Sequence, residues 1–408
     1  MPRAAKPRIA IIKDDLNPDT GFSKHIIACV QKLSRAFDFL VLVEEAKQGS
    51  RNVAELFPGT IQFREAQRGE FAGILEAFRP DLIDIHGGLL APLYHASAVS
   101  RYGRKNNVSV FLSVHGTKFR LRDLLLPRFT DFFHEPRFTI DARFLLNMLM
   151  PLRLYFFLLR KRYGRIGGLA AASRLLHDKA QRVNRHSFPA SALIPSGFAA
   201  HPFSGRESHR RSSPKTRPFS IIYFGKAQLT RGIDTCIRMI PLLIDAIPNL
   251  KVSLYLLPGK SMKRIKKLAS RPEYAAHVTV ITERVNPPDM LRQADLGIFL
   301  IRSIRAIPFQ PLTVLECMSH GVPVLLSDIP PHRELLDHNP GSGILLEDYK
   351  SPKKAAQSIL DMYRTYPAYA KAAAENPALL ADTYSWSAIA AKTADAYGAC
   401  IDKPPAGG

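Results

Sequence analysis

Two stretches in the second half of the chain have residues whose types and spacing suit the binding of an anion. The first is Ile222-Tyr223-Phe224-Gly225-Lys226-Ala227-Gln228-Leu229-Thr230-Arg231-Gly232. An apolar strand ends, Gly225 permits a tight turn, and Lys226 and Arg231 flank a loop that enters a helix. Cations at such a strand end favour a diphosphate, although the same pair also reads as solvated charge. The second stretch, Pro308 to Glu334, is PFQPLTVLECMSHGVPVLLSDIPPHRE. Pro308-Phe309-Gln310-Pro311 is excluded from a helix and reads as a shaped loop. Leu312 to His320 is a short helix stopped by Gly321. The backbone N–H groups around Gln310, Leu312 and Thr313 then form an anion site, with Glu316 one turn further along. Thr313-Val314-Leu315-Glu316 equally fits a capping box, in which Glu316 only satisfies a backbone donor.

Hydrophobic periodicity supplies the scaffold for these loops. Apolar runs at Arg8–Ile12, Phe39–Val43, Leu82–His86 and Val108–Val114 alternate with helical patterns. The repeat predicts a parallel sheet with helices on both faces, resuming at Gly168–Ser173 and Ala192–Pro195. Ligands bind such sheets beyond the carboxyl ends of the strands, where Gly21, Gly87, Gly88, His115 and Gly116 fall. The polar loop Lys13–Phe22 is expected to lead into a helix opening at Ser23. A second α/β half follows, with strands at Phe219–Phe224, Lys251–Leu257, Val278–Ile281, Leu296–Leu300 and Val322–Leu326. A helix is expected from Gly232 to about Ile247, helices fill 352–382, and Ser385-Trp386-Ser387 opens the last one. Residues 201–218, rich in Ser, Pro and Arg, read as a linker. The expected division is a domain over 1–200, a domain over 219–382, and a final helix within 383–408.

The chain has 408 residues, too many for one ordinary core. Its 57 Lys and Arg against 35 Asp and Glu give +22, which implies an anionic partner. Much of that charge gathers where the sheet rhythm breaks: residues 137–185 hold eleven basic and two acidic side chains. There the apolar run Phe144 to Leu159 is followed by Arg160-Lys161-Arg162. This insert, about 137–165, reads either as an internal helix with a solvated basic end or as a surface docking on anionic lipid through 144–165. No nucleic-acid module is recognisable, so nucleic acid is not the expected partner. Cys29, Cys236, Cys317 and Cys400 show no metal-ligand spacing and read as buried thiols of a reducing compartment. No apolar stretch is long enough to span a membrane.

The two anion-binding stretches, with the residues around them, resemble the retaining glycosyltransferases of family 4. The loop from Gly225 to Gly232 is similar to the family's G-R-x(4)-K-G, with Lys226 and Arg231 keeping the charges in swapped order. Leu315-Glu316-Cys317-Met318, Gly321-Val322-Pro323-Val324 and Ser327-Asp328-Ile329-Pro330 resemble its L-E-A-M, G-x-P-V and S-D-x-P. Asp289 to Leu300, Pro80-Asp81 with His86, Val114-His115-Gly116, and Gly21 with His25 are looser matches. The resemblance implies the GT-B fold, two Rossmann-like parallel-sheet domains facing a central cleft, with the C-terminal helix crossing back to the first. It implies an enzyme that moves a sugar, with retention, from a UDP-, GDP- or ADP-sugar to a glycan, lipid-linked or surface-polysaccharide acceptor. Lys226, Arg231 and His115 would be the catalytic groups, and Gly21, Gly225, Gln310, Leu312, Thr313 and Glu316 would bind the donor. Without a D-x-D motif, no metal and no cofactor are expected. The implied location is cytoplasmic, peripheral on the inner face of a membrane. One feature departs from the family. Of its paired glutamates, E-x(7)-E, Glu316 fits the second, while Pro308, or Ile307 in the alternative alignment, holds the place of the first. That keeps two rivals open: a nucleotide-sugar-binding scaffold without activity, and a sugar-nucleotide epimerase.

Overall fold

The computed structural model describes residues 5–17, 21–44, 53–94, 97–115, 142–183, 190–199, 217–247, 249–283, 285–302 and 310–402. They form two compact units. The first contains the described residues of Met1–Phe119, Ala142–Gly197 and Trp386–Gly408, and the second those of Phe198–Ser385. The proposed linker lies outside the described residues except for Arg217 and Pro218.

The first unit is a seven-stranded sheet in the order β3-β2-β1-β4-β5-β6-β7. Its strands are β1 Arg8–Lys13, β2 Asp38–Glu44, β3 Gln62–Ala66, β4 Leu82–Gly87, β5 Ser109–Val114, β6 Ile166–Ala171 and β7 Ala190–Leu193. Every pairing is parallel. The period of two along each strand sorts side chains onto two separate cores. Ile12, Leu42, Ile83 and Ile85 face one core, which includes Tyr155, Phe156 and Leu159 of the helix Leu152–Tyr163. Ile11, Val41 and Leu82 face the other, with Ile26 and Val30 of the helix Gly21–Leu33 and Ile389 and Tyr397 of the helix Trp386–Ile401. The last helix is therefore an integral part of the first unit, and the indole of Trp386 closes over the bare Cα of Gly197.

The second unit repeats the plan with six strands in the order β10-β9-β8-β11-β12-β13. They are β8 Phe219–Lys226, β9 Leu250–Leu257, β10 Val278–Ile281, β11 Leu296–Phe299, β12 Val324–Ser327 and β13 Gly343–Leu346. Again every pairing is parallel. Asp295, fully buried, pins the start of this sheet: it accepts from the Ser220 backbone N–H at 2.8 Å and from both terminal nitrogens of Arg217. In each unit the strand order reverses once, between β1 and β4 and between β8 and β11. Such switch points open a crevice at the carboxyl ends of the strands.

Several elements differ from those expected of the sequence. The short strands β3 and β13 were not expected. β3 is an edge strand whose sequence, QFREA, carries no apolar alternation. The helix expected from Gly232 to about Ile247 ends at Arg238, because Pro241 cannot donate the next helical bond. The first helix opens at Gly21, two residues before Ser23. The basic insert is not one helix but two, Ala142–Leu149 and Leu152–Tyr163, broken at Pro151. Among the described residues no helix is long and apolar enough to cross a membrane. All four cysteines are free and buried.

Candidate functional site

In the second unit, Lys226 is the last residue of β8 and exposed, at the switch point. Gly225 before it has φ 143°, and a Cβ there would lie 3.2 Å from Tyr223 Oη and 3.6 Å from Arg231 Nη1. The Arg231 guanidinium thus lies beside the bare Cα of Gly225, and one strand end carries both cations. Between them the chain makes a single 3-10 turn, Leu229–Arg231, closed by Gly232 in the left-handed region.

Arg302, just beyond β11, braces this loop and was missed by the sequence reading. It is buried, with its backbone N–H donating to the Thr230 carbonyl at 2.8 Å. Its Nη2 donates to Asp234 Oδ1 at 2.7 Å and to Thr235 Oγ1 at 3.0 Å. The backbone and the helix start around Arg231 are therefore tied to the neighbouring strand end.

The helix Leu312–Ser319 lacks the capping box that Thr313 and Glu316 could have formed. Its N-cap is Pro311, with no side-chain cap bond. Thr313 is the second helical residue, so the capping-box reading is excluded. Leu312, Thr313 and Glu316 are the partly exposed positions of a helix whose remaining residues, Val314, Leu315, Cys317, Met318 and Ser319, are buried. Spacings of three and four put them on one face. Gln310 precedes the helix, fully buried, and among the described residues neither its amide oxygen nor its amide nitrogen has a hydrogen-bond partner. Unpaired buried polar groups of this kind cost about 1–3 kcal/mol each. Pro308 and Phe309 lie outside the described residues.

In the first unit the sequence reading placed His115 at the end of β5, with His86 and His25 as lesser candidates. The structure brings all three together. His115, 5% exposed, has Nε2 at 2.9 Å from His86 Nδ1. The His25 ring meets His115 edge-on at 5.0 Å between centroids. Gly21 is the first residue of the helix that carries His25. Gly116 lies outside the described residues. Lys13, at the end of β1, is buried against Asp14 and Asp15, and burial lowers its pKa. The sequence reading assigned Lys13 to a polar loop; its place at the switch point is visible only once β1 and β4 are paired.

Burial holds His25, His115 and His332 neutral near pH 7. His25 is lowered to about 3 by desolvation first and by the neighbouring His86 second. Desolvation places His115 well below the usual range. His332, whose Nδ1–H donates to the Ser327 carbonyl at 2.9 Å, is lowered to about 4, again by burial. These groups bind protons in the unfolded chain but not in the folded one as pH falls below 6.5. Their stabilisation is complete above that pH and is lost toward the folded values. For His25 and His332 together the slope between pH 6 and 5 should be about 2–3 kcal/mol per pH unit. Urea midpoints at pH 5.0, 6.0 and 7.5 check this: a steep decline is expected, and a flat profile would contradict it.

Among the described residues no cluster of His, Cys, Asp or Glu is arranged to hold a metal ion. Residues 218–365 match the family model described as Glycosyl transferases group 1. No curated protein sequence matches the chain significantly. Several solved structures share its fold. Anabaena HepE in complex with UDP has a TM-score of 0.72 at 14% identity, covering 96% of this chain and 99% of HepE. Sucrose-phosphate synthase from Thermosynechococcus elongatus gives 0.72 at 15% identity, with 96% and 98% covered. The lipopolysaccharide outer core galactosyltransferase WaaB gives 0.62 at 11%, with 96% and 99% covered. The two Rossmann-like parallel-sheet units are those of the GT-B glycosyltransferase fold.

Proposed function

We propose that the protein is a retaining glycosyltransferase that takes a sugar from a nucleotide-diphosphate sugar. One observation carries this reading. Lys226 and Arg231 share a strand end at the switch point of the unit that matches the Glycosyl transferases group 1 model, and the helix presenting Leu312, Thr313 and Glu316 belongs to the same unit. Cations on a braced loop suit a diphosphate, and a carboxylate one turn into a helix suits the hydroxyls of a ribose. UDP-sugars are the first donors to test, because the HepE structures contain UDP and UDP-glucose; GDP- and ADP-sugars follow.

Retention needs no protein nucleophile. As the anomeric bond breaks, negative charge grows on the departing diphosphate, which itself takes the acceptor's proton on the same face. The protein supplies fixed positive charge and aligned N–H groups, here Lys226, Arg231 and the backbone around Gln310, Leu312 and Thr313. Gly21 and Gly225 allow close backbone approach, and His115 is assigned to a hydroxyl of the sugar or acceptor. The reaction is proposed to run without a metal, so activity should persist in EDTA. Slow hydrolysis of a nucleotide sugar, seen as release of free nucleoside diphosphate, tests the reading without knowledge of the acceptor. No release from any UDP-, GDP- or ADP-sugar, despite binding, would favour a binding protein without transfer, the reading that Pro308 supports.

Glu316 is assigned to the ribose. Glu316→Gln should weaken nucleotide binding by about 1–3 kcal/mol, the worth of a charge-assisted hydrogen bond. Calorimetric titration of the nucleoside diphosphate checks this; unchanged affinity in a folded variant would remove Glu316 from the site.

The acceptor is proposed to be lipid-linked or a surface polysaccharide, met at an anionic membrane. Four of the eight exposed large apolar side chains among the described residues, Leu146, Leu149, Leu154 and Phe157, fall in the insert. Leu154 and Phe157 share one helix face with Arg153, Arg160 and Lys161, while Tyr155, Phe156 and Leu159 pack into the core. Exposed basic residues contribute about 1 kcal/mol each near anionic lipid, enough for docking only with apolar side chains inserted. Changing Arg153, Arg160 and Lys161 to Gln should abolish co-sedimentation with phosphatidylserine-containing vesicles at low salt. Equal sedimentation of both proteins would return the insert to an ordinary surface helix.

A further inference from the structure

The turn after β9 and the helix that follows it carry charge that the proposed transfer does not use. Lys260, Lys263, Arg264, Lys266, Lys267 and Arg271 fall within twelve residues that contain no Asp or Glu. All six are exposed. Elsewhere in the second unit arginines pair with aspartates, as at Asp234, Asp289, Asp295 and Asp328, but none of these six belongs to an ion pair among the described residues. Four of them lie on the eight-residue helix Met262–Ala269, whose Ile265, Leu268 and Ala269 are buried. Lys263 is three and four residues from Lys266 and Lys267, so like charges stand side by side, an arrangement that destabilises a helix.

The turn is seated on the loop of Lys226. β9 pairs with β8 in register to its end, Leu257 against Lys226. The Ser261 backbone N–H donates to the Ala227 carbonyl at 3.1 Å, and a Cβ on Gly259 would lie 2.3 Å from that same oxygen. Ser261 Oγ accepts from the Leu229 N–H at 3.4 Å. The basic helix therefore starts at the carboxyl edge of the sheet, beside the cations assigned to the diphosphate. Eight residues of helix span about 12 Å, which keeps all four charges within about 20 Å of that loop.

We infer that the exposed face of this helix draws the anionic donor to the Lys226 loop through its field, without holding it in contact. The inference rests on the donor-binding reading for the identity of the anion, a nucleoside diphosphate or its sugar ester. Across about 15 Å of water a single pair of unit charges attracts weakly. Four cations acting on the several charges of a diphosphate multiply that attraction, and at 10 mM salt the Debye length of about 30 Å leaves most of it unscreened. The sum is about a tenfold gain in affinity, carried by faster association. At 500 mM salt the screening length falls to about 4 Å and the gain disappears.

The test combines Lys263→Gln, Arg264→Gln, Lys266→Gln and Lys267→Gln in one variant. All four side chains are exposed, and relief of their mutual repulsion should let the variant unfold no earlier than wild type. Titration calorimetry with UDP, GDP and ADP at 10 and 500 mM salt reads the effect. The nucleotide that binds wild type should bind the variant about tenfold more weakly at 10 mM and equally at 500 mM. Hydrolysis of the nucleotide sugar should divide in the same way, with kcat unchanged and KM raised only at low salt. A charge-conserving variant, Arg264→Lys with the three lysines changed to Arg, should match wild type at both salts. Equal affinities at 10 mM would overturn the inference and leave an ordinary solvated face, with the donor reading intact. A loss of equal size at both salts would also overturn it, because it would put these side chains in contact with the nucleotide. Failure of wild type itself to bind any nucleoside diphosphate would overturn the donor reading and the steering together.

Discussion

Alanine at Arg231 or at Lys226 is expected to lower kcat for sugar transfer by roughly 10²–10³, the effect of losing one preorganised group that stabilises transition-state charge. The expectation rests on how firmly the loop is held. Arg231 sits beside the bare Cα of Gly225, and its backbone neighbours are tied through Arg302 to Thr230, Asp234 and Thr235. A group fixed before the reaction needs no reorganisation while charge develops on the diphosphate. Lys226 is more exposed and less constrained, so the Arg231 variant should be the worse of the two. Arg231→Lys should recover only part of the loss, because an ammonium cannot reproduce the planar fork of a guanidinium. Steady-state rates at saturating donor are the measurement. Normal turnover in both alanine variants would mean that the diphosphate is not bound at this loop.

Gly232→Ala is expected to destabilise the protein by about 3–4 kcal/mol, combining a left-handed conformation with a backbone clash. Gly232 has φ 74°, and a Cβ on it would lie 2.0 Å from the carbonyl oxygen of Leu300, next to β11. Neither partner can rotate away, since both contacts involve main chain. Gly73 is the control: it lies inside the helix Phe71–Phe78, and nothing lies within 4 Å of its added Cβ. Gly73→Ala should therefore stabilise by about 0.5–1 kcal/mol. Urea midpoints of the two variants should move in opposite directions, and a Gly232→Ala midpoint equal to wild type would refute the constrained loop.

The strands of both sheets were legible because parallel strands buried on two faces are rich in apolar residues, as β1, β2, β5 and β8 are. β3 and β13 escaped because both are edge strands, which need no long apolar run. The cation loop could be read because Gly225 and the spacing of Lys226 and Arg231 are local signals. Arg302 could not, since its partner Asp234 is 68 residues away and only the β8–β11 pairing brings them together. The capping-box alternative failed for a steric reason: Pro311 sets where the helix starts, which puts Thr313 inside it.

The second unit is proposed to bind a nucleotide-diphosphate sugar through Lys226 and Arg231. Titration calorimetry with UDP, GDP and ADP, and then with the corresponding sugars, tests it most directly when wild type is compared with the Lys226→Ala/Arg231→Ala double variant. The account predicts that one nucleoside diphosphate binds the wild type in a one-to-one complex and that the double variant loses this binding. Equal binding by both proteins, or no binding of any nucleoside diphosphate to the folded wild type, would contradict it.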